Sequence, residues 1–348
     1  MKIAKPILRW MSSFKPVSIS YQNLLESSNI INLIEEAYGE DGLGILEIEE
    51  IPDYHSKRVN LLKFSRDLAL LPQEEKQKIT LPHTRAVGWS HGIESFKGEP
   101  ELNKASFYAN PLQDEGFLGT SLYNDNIWPD NLPQFKPIFK DFGTLIVKIA
   151  TDLVKHIDLY ISKKCPDYKK GTLEEVLKTH NSHIARLIHY FPQENSDKHW
   201  CDWHSDFSIV TGLTCALYLD EQSGQIIEDN EINDERTGLF IKNRRGEVMK
   251  ANLTGKNLYF QVGEISQILS GGWLKPTPHC VMTTGLHYGI SRNTLAVFCE
   301  PRPEFLMEVP AEHSKLFEKY EGVPALSERW KPGMTYGEFK DSSFRYYS

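Results

Sequence analysis

His204-Ser205-Asp206-Phe207-Ser208-Ile209-Val210-Thr211-Gly212-Leu213-Thr214-Cys215-Ala216-Leu217-Tyr218-Leu219 is the stretch on which the reading turns. It opens with a His-x-Asp triplet and runs on in alternating, β-prone residues. In a strand, positions i and i+2 point to one face, so His204 and Asp206 can chelate one cation. The other such triplet, His156-Ile157-Asp158, is a control. It lies inside a helical pattern, where i and i+2 diverge. A third donor must come from another segment. His279 fits, because it follows Gly271-Gly272 and the prolines Pro276 and Pro278, then leads into Cys280-Val281. Taken alone, it would read as an ordinary loop histidine. Arg292 and Thr294, again at i and i+2, enter the last strongly β-like segment. A guanidinium grips a carboxylate through two bonds and a hydroxyl adds one donor. Two imidazoles and one carboxylate on one face of a metal are the donor set of a non-haem Fe(II) centre that activates O2. The order His-x-Asp, His, Arg-x-Thr is more specific than any of its parts.

Around this stretch the pattern is that of many short strands. Alternating segments at 185–191, 204–219, 238–241, 258–262, 266–269, 280–284 and 294–300 are separated by turns at Gly224, Gly246, Gly255, Gly263 and Gly271-Gly272. That spacing predicts a sandwich or barrel. Residues 221–237 are polar and acidic and read as a surface insertion. Upstream, Phe135, Ile138, Phe139, Phe142, Leu145, Ile146, Ile149 and Leu153 recur at three- and four-residue steps, predicting a scaffold helix over 134–161. Earlier still, Ser28 can cap a helix over 30–38, residues 44–49 read as a strand, and a helix is expected over 56–71. Residues 80–133, rich in Gly, Pro, Asn and His, read as loops with short strands.

The bulk numbers exclude several classes. The chain has 348 residues, 40% hydrophobic and 25% charged, enough apolar mass for a large core. A formal charge of -8 opposes general nucleic-acid binding, which wants clustered Lys and Arg. The five cysteines, Cys165, Cys201, Cys215, Cys280 and Cys299, are scattered with no CxxC, so a reducing, cytoplasmic setting is expected. No apolar run has the length of a membrane span. Lys2, Lys5, Arg9 and Lys15 make the N-terminus basic; it reads as an arm of a cytosolic protein, with organelle targeting as the alternative.

From Arg186 to Glu304 the chain resembles the catalytic core of the 2-oxoglutarate/Fe(II)-dependent dioxygenases, in the isopenicillin N synthase-like branch. The stretches beginning Pro16-Val-Ser-Ile-Ser, Gly42-Leu-Gly-Ile-Leu-Glu-Ile, Val87-Gly-Trp-Ser-His-Gly-Ile-Glu and Trp128-Pro-Asp-Asn-Leu-Pro-Gln-Phe are similar to that branch's N-terminal region. The resemblance implies an α+β chain with a double-stranded β-helix (jelly roll) core, an N-terminal helical/β region and scaffold helices packed on the sheet. The expected division is a basic arm at 1–15, an N-terminal region at 16–170, the core at 171–305 and a packed tail at 306–348, as one unit. It implies iron at His204, Asp206 and His279, and 2-oxoglutarate at Arg292, Thr294 and Tyr190. Oxidation of a small organic substrate would then release succinate and CO2, in a monomer or homodimer with neither nucleic acid nor membrane as partner.

There are departures from the pattern. Thr294 stands where the family has Ser, and the family's Asn-Tyr-Tyr-Pro reads His189-Tyr190-Phe191-Pro192, so that Phe191 removes an expected phenol. Two other readings follow: an Fe(II) oxidase that does not use 2-oxoglutarate, and a non-catalytic jelly-roll binding module.

Other signals carry less. Gly88-Trp89-Ser90-His91-Gly92 matches a nucleophile elbow, but that motif needs a buried strand before it and a helix after it. His180, His183, His199 and His287 read as solvated or hydrogen-bonded histidines. Trp200, Cys201 and Trp203 read as packing at the rim of the site, and Phe107, Tyr108 and Asn110 as candidates for the substrate pocket.

Overall fold

Phe135, Phe139, Phe142, Ile146, Ile149, Leu153 and Ile157 form one stripe of a helix, and all are fully buried. Burying each contributes roughly 1.5–3 kcal/mol, which is why this helix anchors the molecule. In the computed structural model it runs Phe135–Lys164, three residues beyond the expected end. The structure describes residues 12–26, 30–81, 86–93, 95–96, 99–117, 123–192, 198–227, 232, 235–283, 289–311, 313, 316–317, 319 and 323–347. Ser28, His287 and most of the basic arm lie outside them.

In chain order the strands are β1 (Ser12–Phe14), β2 (Val17–Ser20), β3 (Ile45–Glu49), β4 (Gly88–His91), β5 (Ser95–Phe96), β6 (Glu99–Pro100), β7 (Lys104–Ala109), β8 (Ile184–Tyr190) and β9 (Lys198–His204). There follow β10 (Val210–Thr214), β11 (Leu217–Asp220), β12 (Ile226–Ile227), β13 (Gly238–Lys242), β14 (Val248–Ala251), β15 (Leu258–Val262), β16 (His279–Thr283) and β17 (Ile290–Cys299). Two sheets face each other. The smaller has the order β1-β14-β13-β16-β9; the larger runs β2-β3-β15-β10-β17-β8-β7-β4, with β11 paired to β17 and β12. This is the expected jelly roll. The Phe135–Lys164 helix covers the outer face of the large sheet, where Ile146 closes on Gly212 of β10; a Cβ there would come within 2.4 Å of Ile146. A second cluster, including Ile188, Tyr190, Trp200, Leu239, Tyr259 and Val281, fills the space between the sheets.

Several expectations change. The helix expected over 56–71 is two, Tyr54–Leu62 and Phe64–Leu70. Residues 266–269, expected as a strand, belong to the helix Glu264–Leu269. All of its residues are buried, and burial on every side erases the periodicity that tells a short helix from a strand. The Gly88–Gly92 motif is an edge strand of the large sheet followed by Gly92 with φ 69°, not by a helix. The control triplet also resolves as argued. Asp158 accepts from the amides of Leu173 and Glu174 at 3.2 and 3.0 Å, while His156 Nε2 lies 3.0 Å from the Leu24 carbonyl.

Candidate metal centre

β9 ends at His204 and β16 begins at His279, and the two residues face each other across the antiparallel pair. Their rings lie 4.2 Å apart, centroid to centroid. Asp206 comes from the turn after β9 and not from a continuing strand, which corrects the i, i+2 argument. Its position is set by the backbone: the Glu264 amide donates to the Asp206 carbonyl at 2.9 Å. Asp206 Oδ1 lies 3.8 Å from Nε2 of each histidine, and one donor atom from each of the three residues falls within 4.8 Å of the others.

The hydrogen bonds select the free atoms. His204 Nδ1 donates to the Asp202 carbonyl at 2.8 Å, and His279 Nδ1 to the Thr277 carbonyl at 3.2 Å. Both Nε2 atoms are thereby left as lone-pair donors facing Asp206. Asp206 Oδ2 is buried with no hydrogen-bond partner among the described residues. A buried carboxylate oxygen in that state is strongly unfavourable unless a cation satisfies it, so the residues fit a divalent metal.

The two imidazoles differ. Burial and the neighbouring His204 charge lower His279 to about 4. Burial also opposes charge on His204, but Cys201, with its sulfur 3.8 Å away, and Asp206 outweigh it and raise His204 to about 9. Metal binding at both Nε2 atoms requires both imidazoles uncharged, so metal uptake depends on pH.

Below the three donors, Arg292 pairs across to Tyr190, and its guanidinium lies 5.0 Å from the Tyr190 ring. Arg292 is buried, with Nε and Nη1 lacking hydrogen-bond partners among the described residues. Thr294 stands on the same face but donates its hydroxyl to the Thr214 carbonyl at 3.0 Å. Register separates the two aromatics. Tyr190 lies opposite Arg292, whereas Phe191 packs on the rings of His189 and His91. Trp200 stacks on Tyr190 at 5.4 Å, and Trp203 holds Lys242 at 4.8 Å.

The other candidates separate. His183 is buried, its Nδ1 accepting from the Glu300 amide at 3.2 Å, and His180 Nδ1 accepts from the Arg302 amide at 3.0 Å. Phe107 points away from the site into the rings of Trp128, Phe135 and Phe139. Asn110 closes turns, accepting from Leu112 N and donating to the Asn181 carbonyl. Tyr108 remains on the inner face, under the Arg186 guanidinium at 5.1 Å.

Sequence reasoning missed the wall behind Asp206. Arg329 forks onto Glu264 at 2.5 and 2.8 Å and lies over Phe207 at 5.7 Å. Phe207 in turn packs against Phe339 and Phe344 of the helix Tyr336–Tyr347. Glu264 and Arg329 are 65 residues apart, so no local pattern announces their contact.

Residues 16–131 match the family model described as the N-terminal region of non-haem dioxygenases in morphine synthesis. A homoarginine-6-hydroxylase of rice is 22% identical over 290 residues, covering 79% of each chain. Among solved structures, a 2OG-Fe(II) oxygenase family protein of Caulobacter crescentus superposes with a TM-score of 0.69 at 17% identity, covering 95% of this chain and 98% of that one. JOX2, solved with 2OG, Fe and JA, gives 0.64 at 18% identity over 96% and 86%. Fold, N-terminal match and the three converging donors agree in making the chain similar to the 2-oxoglutarate/Fe(II)-dependent dioxygenases.

Proposed function

We propose that the chain binds Fe(II) through His204, Asp206 and His279 and 2-oxoglutarate through Arg292 and Tyr190, and uses them to hydroxylate a small organic molecule. The observation that carries this reading is the orphaned pair of buried polar groups. Asp206 Oδ2 and the Arg292 Nε and Nη1 atoms lack partners among the described residues, one aimed at the metal position and the others into the space between the sheets. When bound, the iron and its co-substrate supply the oxidising chemistry, consuming O2 and releasing succinate and CO2.

The chain's residues do the rest. The Asp202 and Thr277 carbonyls fix the tautomer of both histidines. Arg292 offers a preorganised fork to the far carboxylate of the co-substrate, and Tyr190 and Trp200 exclude water around it. Thr294 contributes less than the family pattern implies, because its proton is directed to Thr214. Tyr190 opposite Arg292 supports 2-oxoglutarate over the oxidase reading, which rested on Phe191 and Thr294. The rice relative's name supports hydroxylation as the outcome and homoarginine as the first substrate to assay. Net charge -8 supports a protein that does not bind nucleic acid, and among the described residues no helix is long and apolar enough to cross a membrane.

The test is an anaerobic titration with Fe(II) and then 2-oxoglutarate. A visible charge-transfer band that requires both, and is lost in His279→Ala, is expected. Iron binding without the band would remove 2-oxoglutarate from the reading.

A further inference from the structure

His204 and His279 are fixed by the ladder between β9 and β16. Asp206 has no strand to hold it, and its turn is clamped from the side instead. Four bonds enter residues 206–209 from the start of the helix Glu264–Leu269. The Gly263 amide donates to the Ile209 carbonyl at 3.0 Å, the Glu264 amide to Asp206 at 2.9 Å and the Ile265 amide to Ser208 at 3.3 Å. The Ser266 hydroxyl adds a bond to the Ile209 carbonyl at 2.7 Å. The approach is tight: a Cβ on Gly263 would lie 2.0 Å from the Ser208 carbonyl oxygen. Wherever this helix sits, Asp206 sits with it.

The helix is held in turn by the C-terminal segment. Arg329, its side chain fully buried, forks onto the Glu264 carboxylate and donates to Ser343 Oγ at 2.9 Å and to the Pro324 carbonyl at 3.1 Å. It also covers the ring of Phe207, the second neighbour of Ser205 and the next residue after Asp206. Gln267 donates to the Leu316 carbonyl at 2.9 Å. A planar fork fixes both the distance and the direction of the carboxylate it holds. Stability alone does not ask for that, because a buried ion pair is commonly no better than apolar packing of the same volume. A second buried pair, Lys340 with Glu300 at 2.6 Å, anchors the same segment just after β17, where the Tyr123 hydroxyl also donates to Glu300 at 2.7 Å. The tail is thus pinned twice, once on the path to Asp206 and once off it.

Resting on the metal-binding reading above, we propose that Arg329 is a positioning residue for Asp206, so that docking of the C-terminal segment and occupation of the metal site reinforce each other. Arg329 orients Glu264, Glu264 sets the start of its helix, and that helix carries the Asp206 turn. A metal that holds Asp206 steadies Glu264 and the segment behind it, by the reciprocity that any coupling between two sites obeys.

The experiment uses the full-length protein and Mn(II) alone, a divalent probe for the same nitrogen and oxygen donors. Calorimetry reads metal affinity and urea midpoints read stability. Three proteins are compared: the parent, Glu264→Met/Arg329→Met and Glu300→Met/Lys340→Met. Each double variant replaces one buried pair by apolar side chains and leaves the net charge unchanged. Glu264→Met/Arg329→Met is expected to weaken Mn(II) about tenfold, the lower end of the loss seen when a group that orients a metal ligand is removed, and Glu300→Met/Lys340→Met less than about threefold. In the parent, Mn(II) is expected to slow amide hydrogen exchange in the helix Tyr336–Tyr347 at least about fivefold. That measurement needs no substitution, so it decides the matter even where a double variant does not fold. Unchanged affinity in Glu264→Met/Arg329→Met, equal losses of affinity in both variants, or exchange indifferent to Mn(II) overturns the positioning role. A parent that binds no Mn(II) removes the metal centre and this proposal together, whereas a parent that binds it with an indifferent tail overturns this proposal alone.

Discussion

Arg292 and Asn293 are neighbours on β17, yet they face opposite sides of the sheet and opposite circumstances. Asn293 is fully satisfied: its Oδ1 accepts from Ser65 at 2.5 Å and from His189 Nδ1 at 2.8 Å, and its Nδ2 donates to the Leu217 carbonyl and to Ser291 Oγ. That network ties the helix Phe64–Leu70 to β8, β11 and β17. Arg292, also buried, leaves two nitrogens without partners among the described residues. A closed polar network specifies the fold, whereas an open one in the same core waits for something to close it. The outer face of the sheet is built for structure and the inner face for a ligand.

The largest effect belongs to the inner face. His279→Ala should weaken Fe(II) binding by more than about a hundredfold, because groups that merely orient a ligand already cost 10–100-fold. Calorimetry on the apo-protein reads this, and affinity within about tenfold of the parent would break the donor assignment.

Next comes the pair itself. Arg292→Gln should weaken 2-oxoglutarate by about a hundredfold and leave urea stability level or higher, since it deletes an uncompensated buried charge. Asn293→Ala should do the reverse, losing about 2–3 kcal/mol of stability with less than about threefold change in co-substrate affinity. Equal destabilisation by both would erase the contrast between the faces.

A smaller effect concerns His183, another closed group, its Nδ1 accepting from Glu300 and its Nε2 donating to the Leu177 carbonyl at 3.3 Å. Burial lowers it to about 4 from an ordinary value of 6.5. As pH falls through 6.5 the unfolded chain takes the proton first, so stability is lost between about 6.5 and about 4. The expected loss is about 2 kcal/mol from pH 7 to pH 5. Urea midpoints at the two values, for the parent and for His183→Asn, measure it, and an equal slope in both assigns the loss elsewhere. Smallest is the register test. Tyr190→Phe should weaken 2-oxoglutarate about three- to tenfold and Phe191→Leu less than about threefold; the opposite order would put Phe191 on the inner face.

The donors were legible because histidine, aspartate and arginine in that order, among β-like segments, have few other uses. Their geometry was less so. Asp206 does not continue the strand of His204, and a backbone bond from Glu264 places it. Tyr190 and Phe191 show that a one-residue choice of register exchanges the two faces of a sheet, and sequence alone leaves that choice open when both residues are aromatic. Glu264–Leu269 reads as strand or helix until its burial is known.

The segment that closes the wall behind Asp206 is made after the donors it backs. A nascent chain threads out from its N-terminus, so His204, Asp206 and His279 are all synthesised before Arg329, Phe339 and Phe344. Until the helix Tyr336–Tyr347 leaves the ribosome, Glu264 lacks its guanidinium and Phe207 its aromatic cover. A chain stopped short of Arg329 thus carries all three donors with no wall behind them.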